Sequence, residues 1–132
     1  MARKMYVISK YNSMEKEMTV NNSLYKSVLD KAAAIERDVI ELAYAINIDE
    51  LYQIKTRLIS NVNSFEESVN LAISSKNRLD RIRSFVLITG KLLETRDYLQ
   101  LLLKLRVNDT TNLLYRIDEF TDFLMVNSGS LS

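Results

Sequence analysis

Two pairs of adjacent carboxylates, Glu66-Glu67 and Asp118-Glu119, are the first groups in this chain that could do acid–base chemistry. A dyad needs both carboxyls to converge on one reacting atom, whereas neighbours on a helix point about 100° apart. Both pairs, like Glu15-Lys16-Glu17, therefore read as solvated helix surface. Gly90-Lys91 is a fragment of a phosphate loop, but it lacks the earlier glycine and the following Ser or Thr that such a loop requires. The cations Lys76, Arg78, Arg81 and Arg83 could meet phosphate or acidic lipid. At helical spacing they spread over more than half the circumference, with Asp80 among them, so the expectation is an exposed face paired with acidic residues of a neighbouring helix. Histidine and cysteine are both absent, which removes the commonest general base, the thiolate nucleophile and the usual transition-metal ligands. No catalytic, cofactor-binding or metal-ligating residue is expected, and the chain reads as a non-enzyme.

What remains is the question of which elements these charges decorate. The 132 residues suit a single domain, and a hydrophobic fraction of 47% with 27% charged residues is too apolar for global disorder. There is no proline, and the two glycines are Gly90 and Gly129, so a fold with many tight turns is excluded in favour of a few long helices. Lys plus Arg number 18 and Asp plus Glu 17, mixed along the chain, which leaves no electrostatic footprint for nucleic acid. No apolar run reaches membrane-spanning length, and the start MARKMYVISKYNS does not read as a signal peptide. The lack of cysteine fits a reducing compartment.

The strongest pattern lies between Val7 and Ile46. Val7, Tyr11, Met14, Met18, Asn21, Tyr25, Val28, Ala32, Ile35, Val39, Leu42 and Ile46 alternate by four and three, a heptad seam that must lie against other helices. This predicts a helix over about 4–46, with a soft spot at Thr19–Ser23. Asn21 either sets register, because a misaligned partner would leave its amide unpaired, or occupies a partly exposed site near a helix break. Asn47 with Glu50 makes a capping box, and Ile46 with Leu51 a hydrophobic staple, unless Asn47 sits on the outside of an uninterrupted helix.

A second helical stretch is expected over 48–107, with a bend available at 74–77. Leu51, Ile54, Leu58, Val62, Phe65, Val69 and Ala72 form its first seam, and Asn63 falls on its outer face. Beyond Arg78 the pattern is Leu79, Ile82, Phe85/Val86, Leu92/Leu93, Leu99, Leu102/Leu103 and Leu105, and further apolar residues at Leu87, Ile88 and Leu101 make the stripe wide enough for contacts on more than one side. Gly90, mid-pattern, suggests a close helix crossing. Asn108–Asn112 breaks the pattern, and a final helix over 111–126 follows, with Leu113, Ile117, Phe120 and Leu124 on one face. Gly129 or Asn127 would cap it before a flexible tail at 127–132.

Asn47 to Leu124 resembles the N-terminal helical region of the subunit 2 family of the conserved oligomeric Golgi complex. It is similar, more loosely, to rod-forming tethers such as the exocyst. The likeness is carried by the break before Ile48-Asp49-Glu50-Leu51, the long helix, the block Leu93-Glu94-Thr95-Arg96 and the leucine run Leu99 to Leu105. Before Asn47 the chain lacks the aromatic-rich approach of that family. The resemblance implies a cytoplasmic protein, peripheral to the Golgi membrane, that acts in vesicle tethering and protein transport with other helical subunits as partners.

The expected architecture is all-α: three or four long amphipathic helices in an antiparallel helical bundle or coiled coil. The expected function is non-enzymatic assembly, with Val28, Ile35, Leu42, Leu79, Ile82, Val86, Leu92, Leu99 and Leu102 as interaction residues and Asn21 setting register. A small helical adaptor or regulatory protein, and an amphipathic protein binding a membrane surface through Lys76 to Lys91, are the alternatives. If Asn21 sets register, Asn21→Ile raises the melting temperature and abolishes a unique oligomeric state; an unchanged state in sedimentation excludes that role.

Overall fold

The computed structural model describes residues 11–127, with side chains from residue 23 to 126. Val7, the Gly129 cap and the tail beyond Asn127 lie outside the described residues, as do the side chains of Tyr11, Met14, Met18 and Asn21. The described residues are all-helical: α1 (Tyr11–Tyr44), a 3-10 turn (Asp49–Leu51), α2 (Tyr52–Val62), α3 (Phe65–Ser74), α4 (Arg78–Lys104) and α5 (Thr111–Asn127). The backbone of α1 passes through Thr19–Ser23 without interruption.

Each break has a local cause. After α1 the chain turns through Ala45–Ile48, and the turn that follows is entered from Ile48 in extended conformation, with no side-chain cap. The capping box on Asn47 is therefore not formed. The apolar half of that signal survives, because Ile46 is buried and Leu51 packs against the core. The expected helix over 48–107 is broken twice. At the first break Asn63 is extended and Ser64 takes a left-handed conformation, φ 60°, so Asn63 is a hinge rather than outer helix face. Ser64 offers no side-chain cap; instead the Glu36 carboxylate of α1 accepts the Glu66 N–H at 2.9 Å, which places negative charge at the positive end of α3. At the second break Ser75 is extended, and the Asn77 side chain caps α4 by accepting the Asp80 N–H at 3.1 Å. The end of α4 is a Schellman motif, with Val107 N–H bonded to Leu102 O, Arg106 N–H to Leu103 O, and Arg106 left-handed where glycine is usual.

Four helical rods bury one another's seams: α1, the jointed α2–α3 arm, α4 and α5. α1 packs on α2, α3 and α5, while α4 packs on α2, α3 and α5. The α1 seam is buried at Val28, Ala32, Ile35, Val39, Ala43 and Ile46, so Ala43 takes the inward place expected of Leu42, which is half-buried beside it. The arm contributes Leu58, Val62, Phe65, Val69 and Ala72, and its spacing of four and three carries straight across the Asn63-Ser64 hinge. α5 contributes Leu113, Ile117, Phe120 and Leu124, as its pattern requires. Phe65 and Phe120 meet edge to face across the centre, with ring centroids 5.8 Å apart.

In α4 the inward row is Arg81, Phe85, Ile88, Leu92, Thr95, Leu99 and Leu102, again alternating by four and three. Two of these seven are polar, and both bond to nearby carbonyls: Thr95 donates to Lys91 O at 2.8 Å and Arg81 Nη1 to Ser75 O at 2.7 Å, although Arg81 Nε is buried without a partner. Arg81 thus closes the joint between α3 and α4. Gly90 is exposed, and a Cβ placed on it would meet nothing within 4 Å, so it does not mark a helix crossing within the chain.

This rotational setting of α4 predicts opposite outcomes for two leucines. Leu99→Ala, at a fully buried position, lowers unfolding free energy by about 2–5 kcal/mol, whereas Leu87→Ala, on the outer face, changes it by less than about 0.5 kcal/mol in chemical denaturation.

Candidate docking face

Polar ties fix how the rods stand against one another. Arg57 of α2 grips Glu94 of α4 with two hydrogen bonds, Nε at 2.8 Å and Nη2 at 2.6 Å. Arg96 of α4 meets Asp118 of α5 at 2.6 Å, and Arg116 of α5 meets Asp38 of α1 at 2.7 Å. Tyr25 of α1 donates its hydroxyl to the Asn70 side chain of α3. Glu36 and Glu66 complete the set, so every neighbouring pair of rods carries at least one polar link. At the turn into α5, Thr110 is buried and donates to Leu99 O at 2.7 Å.

These ties perturb the carboxylates that take part in them. Burial would push Asp38 up, but its hydrogen bonds to Arg116 and Arg37 prevail and hold the carboxyl below the ordinary range. The Arg57 hydrogen bonds hold Glu94 low against a smaller desolvation effect. Among the described residues no cluster of three or more acidic side chains could hold a metal ion, and no helix is long and apolar enough to cross a membrane.

The distinctive feature lies on the outside of α4. Leu79, Ile82, Val86, Leu87, Leu93 and Leu101 are all exposed large apolar side chains, from 40% at Leu101 to 67% at Leu87. Beside them Ile82, Phe85, Val86, Thr89, Gly90, Leu93, Leu124 and Met125 line an apolar groove of about 540 Å³ between α4 and the end of α5. Leu71 of α3, itself exposed, adjoins Leu87 across a smaller depression.

The structure divides the expected interaction residues into two sets. Val28, Ile35, Leu92, Leu99 and Leu102 are in the chain's own core, where they cannot meet a partner without unfolding it, and Leu42 is half-buried against that core. Leu79, Ile82 and Val86 stand on the outer face of α4. Leu87, Leu93 and Leu101 belong with them: Leu87 and Leu101 were legible as residues that widen the stripe and Leu93 as part of its seam, but none was expected as an interaction residue. Leu71, Met125 and Val126 are exposed without any sequence mark. The basic cluster does not act as one face: Arg81 turns inward, Lys76 and Arg78 are exposed, and Arg83 approaches Asp80 of its own helix at 3.9 Å rather than a neighbouring one.

No family model, curated protein or solved structure matches this chain.

The Asp38 and Glu94 carboxyls, together with that of Asp109, which hydrogen bonds from Thr111 hold low, set a pH dependence. A carboxyl whose folded pKa lies below its unfolded value adds stability that is fully present above the unfolded value, about 4, and is lost as pH falls through the lower folded one. The melting temperature therefore drops on acidification below about pH 4. The pair of changes Asp38→Asn and Glu94→Gln lowers it at neutral pH and flattens the acid limb. An acid limb of unchanged slope in that double variant contradicts the assignment.

Proposed function

We propose that this chain is a non-enzymatic helical assembly subunit that binds other helical subunits through the outer face of α4 and its groove with α5. One observation carries the reading: an apolar row along a helix whose opposite face is already committed to the core. A contiguous exposed apolar strip of this kind is costly in water and characteristic of helix-in-groove recognition. Successive contacts support a finer reading as a long antiparallel bundle. Residues 25, 36 and 46 of the α1 rod meet 70, 66 and 55 of the arm, and residues 31 and 38 meet 123 and 116.

The kind of assembly rests on the resemblance of Asn47 to Leu124 to the vesicle-tethering subunits. On that basis the partners are other helical subunits of a tethering complex, and the site of action is the cytoplasmic face of the Golgi membrane, with membrane contact indirect. No step of bond making is required of any residue.

Ile82→Asp with Val86→Asp tests this in cells of the source organism carrying the tagged full-length protein. The expected result is loss of co-purifying tethering subunits and of Golgi localisation, with a circular-dichroism melt like that of the parent. Retention of those subunits by the double variant contradicts docking through α4. Salt-sensitive binding of the purified chain to anionic vesicles, lost in Arg78→Glu and Arg83→Glu, would favour a membrane-surface protein instead.

A further inference from the structure

The outer face of α4 is matched to a second copy of itself. Gly90 stands near the middle of the exposed row, with nothing within 4 Å of where its Cβ would be. Counting outward from it, Leu87 and Leu93 lie three residues to either side, Arg83 and Asp97 seven, and Leu79 and Leu101 eleven. All six side chains are exposed. Two apolar pairs are therefore mirrored about Gly90 and one charged pair is mirrored with opposite sign, while Val86 falls level with Glu94 and Ile82 with Tyr98.

We propose that two copies of this chain pair through α4, antiparallel, about a two-fold axis passing by Gly90. In such a pairing the residue n places after Gly90 lies level with the residue n places before it in the second copy. Leu87 then meets Leu93, Leu79 meets Leu101, and Arg83 meets Asp97, each contact made twice, as an isologous interface requires. The charged pairs fall about 10 Å from the axis on each side, at the 1.5 Å rise of a helix. Parallel alignment in the same register would instead set Arg83 against Arg83 and Asp97 against Asp97. Arg83 is free to turn outward, since its contact with Asp80 at 3.9 Å is exposed and worth little. Among the described residues Asp97 makes no ion pair. The glycine allows the two backbones to approach closely where side chains would otherwise hold them apart, and it has no such use within one chain. Glu94 lies level with Val86 of the second copy, its carboxylate already bound by Arg57.

This pairing does not depend on the tethering reading, because it needs no other kind of subunit. Sedimentation equilibrium of the purified 132-residue chain should give twice its 15.3 kDa mass in the micromolar range. Arg83→Asp or Asp97→Arg alone weakens the dimer about tenfold by placing like charges together, and the two changes combined restore it. Gly90→Leu prevents dimer formation while raising the melting temperature of the monomer, so that loss of pairing is not loss of fold. A parent chain that stays monomeric overturns the proposal. So does a charge swap that fails to restore pairing, or a Gly90→Leu chain that dimerises as well as the parent.

Discussion

The rotational setting of α4 is the constraint on which the rest of the structure depends. This helix carries apolar residues on all sides, so hydrophobic burial alone could have turned any of several faces inward. The face that is buried includes an arginine and a threonine, while six large apolar side chains are left outside. Directional polar bonds decide between these alternatives. Arg57 holds Glu94, Asp118 holds Arg96, Thr110 holds the carbonyl of Leu99, and Arg81 reaches the carbonyl that ends α3. Rotating α4 by one position would break all four. Each exposed pair is worth little alone, but acting on one rigid rod they select a single orientation.

The rest of the bundle follows from that orientation. With Phe85, Ile88, Leu92 and Leu99 turned inward, α5 can bury Ile117 and Phe120, and Phe65 of the arm reaches Phe120 across the centre. The hinge at Asn63-Ser64 lets the arm bend without losing its inward row. Its left-handed serine costs of the order of 1 kcal/mol, a strain that the continuous burial of Val62, Phe65 and Val69 on both sides offsets.

How much of this was legible in the sequence varies by helix, for physical reasons. α1 and α5 contrast sharply between apolar and polar faces, so their inward rows could be read from spacing, apart from Ala43 in the place expected of Leu42. The arm's seam was equally clear, but its hinge was hidden, since the seam runs through it in phase and Asn63 is as compatible with a solvated helix face as with a turn. In α4 the reading by hydrophobicity fails. Arg81 and Thr95 take inward places by bonding to backbone carbonyls, something no periodicity of apolar residues reveals. The excess width of the stripe did point to this helix as a docking face, through Leu79, Ile82 and Val86, but the leucines outside were indistinguishable by type from Leu92, Leu99 and Leu102 in the core. Gly90 suggested a close helix crossing, and none is made there within the chain: the space above it is open.

The most direct test of this account asks which leucines of α4 face water. Leucine methyl spectra of the purified chain, recorded at low concentration with a soluble paramagnetic relaxation agent, report it residue by residue. Strong broadening at Leu79, Leu87 and Leu93, with little at Leu92, Leu99 and Leu102, is the predicted result. Broadening that falls equally on both sets, or on the second set first, would contradict the orientation of α4 and the docking face built on it.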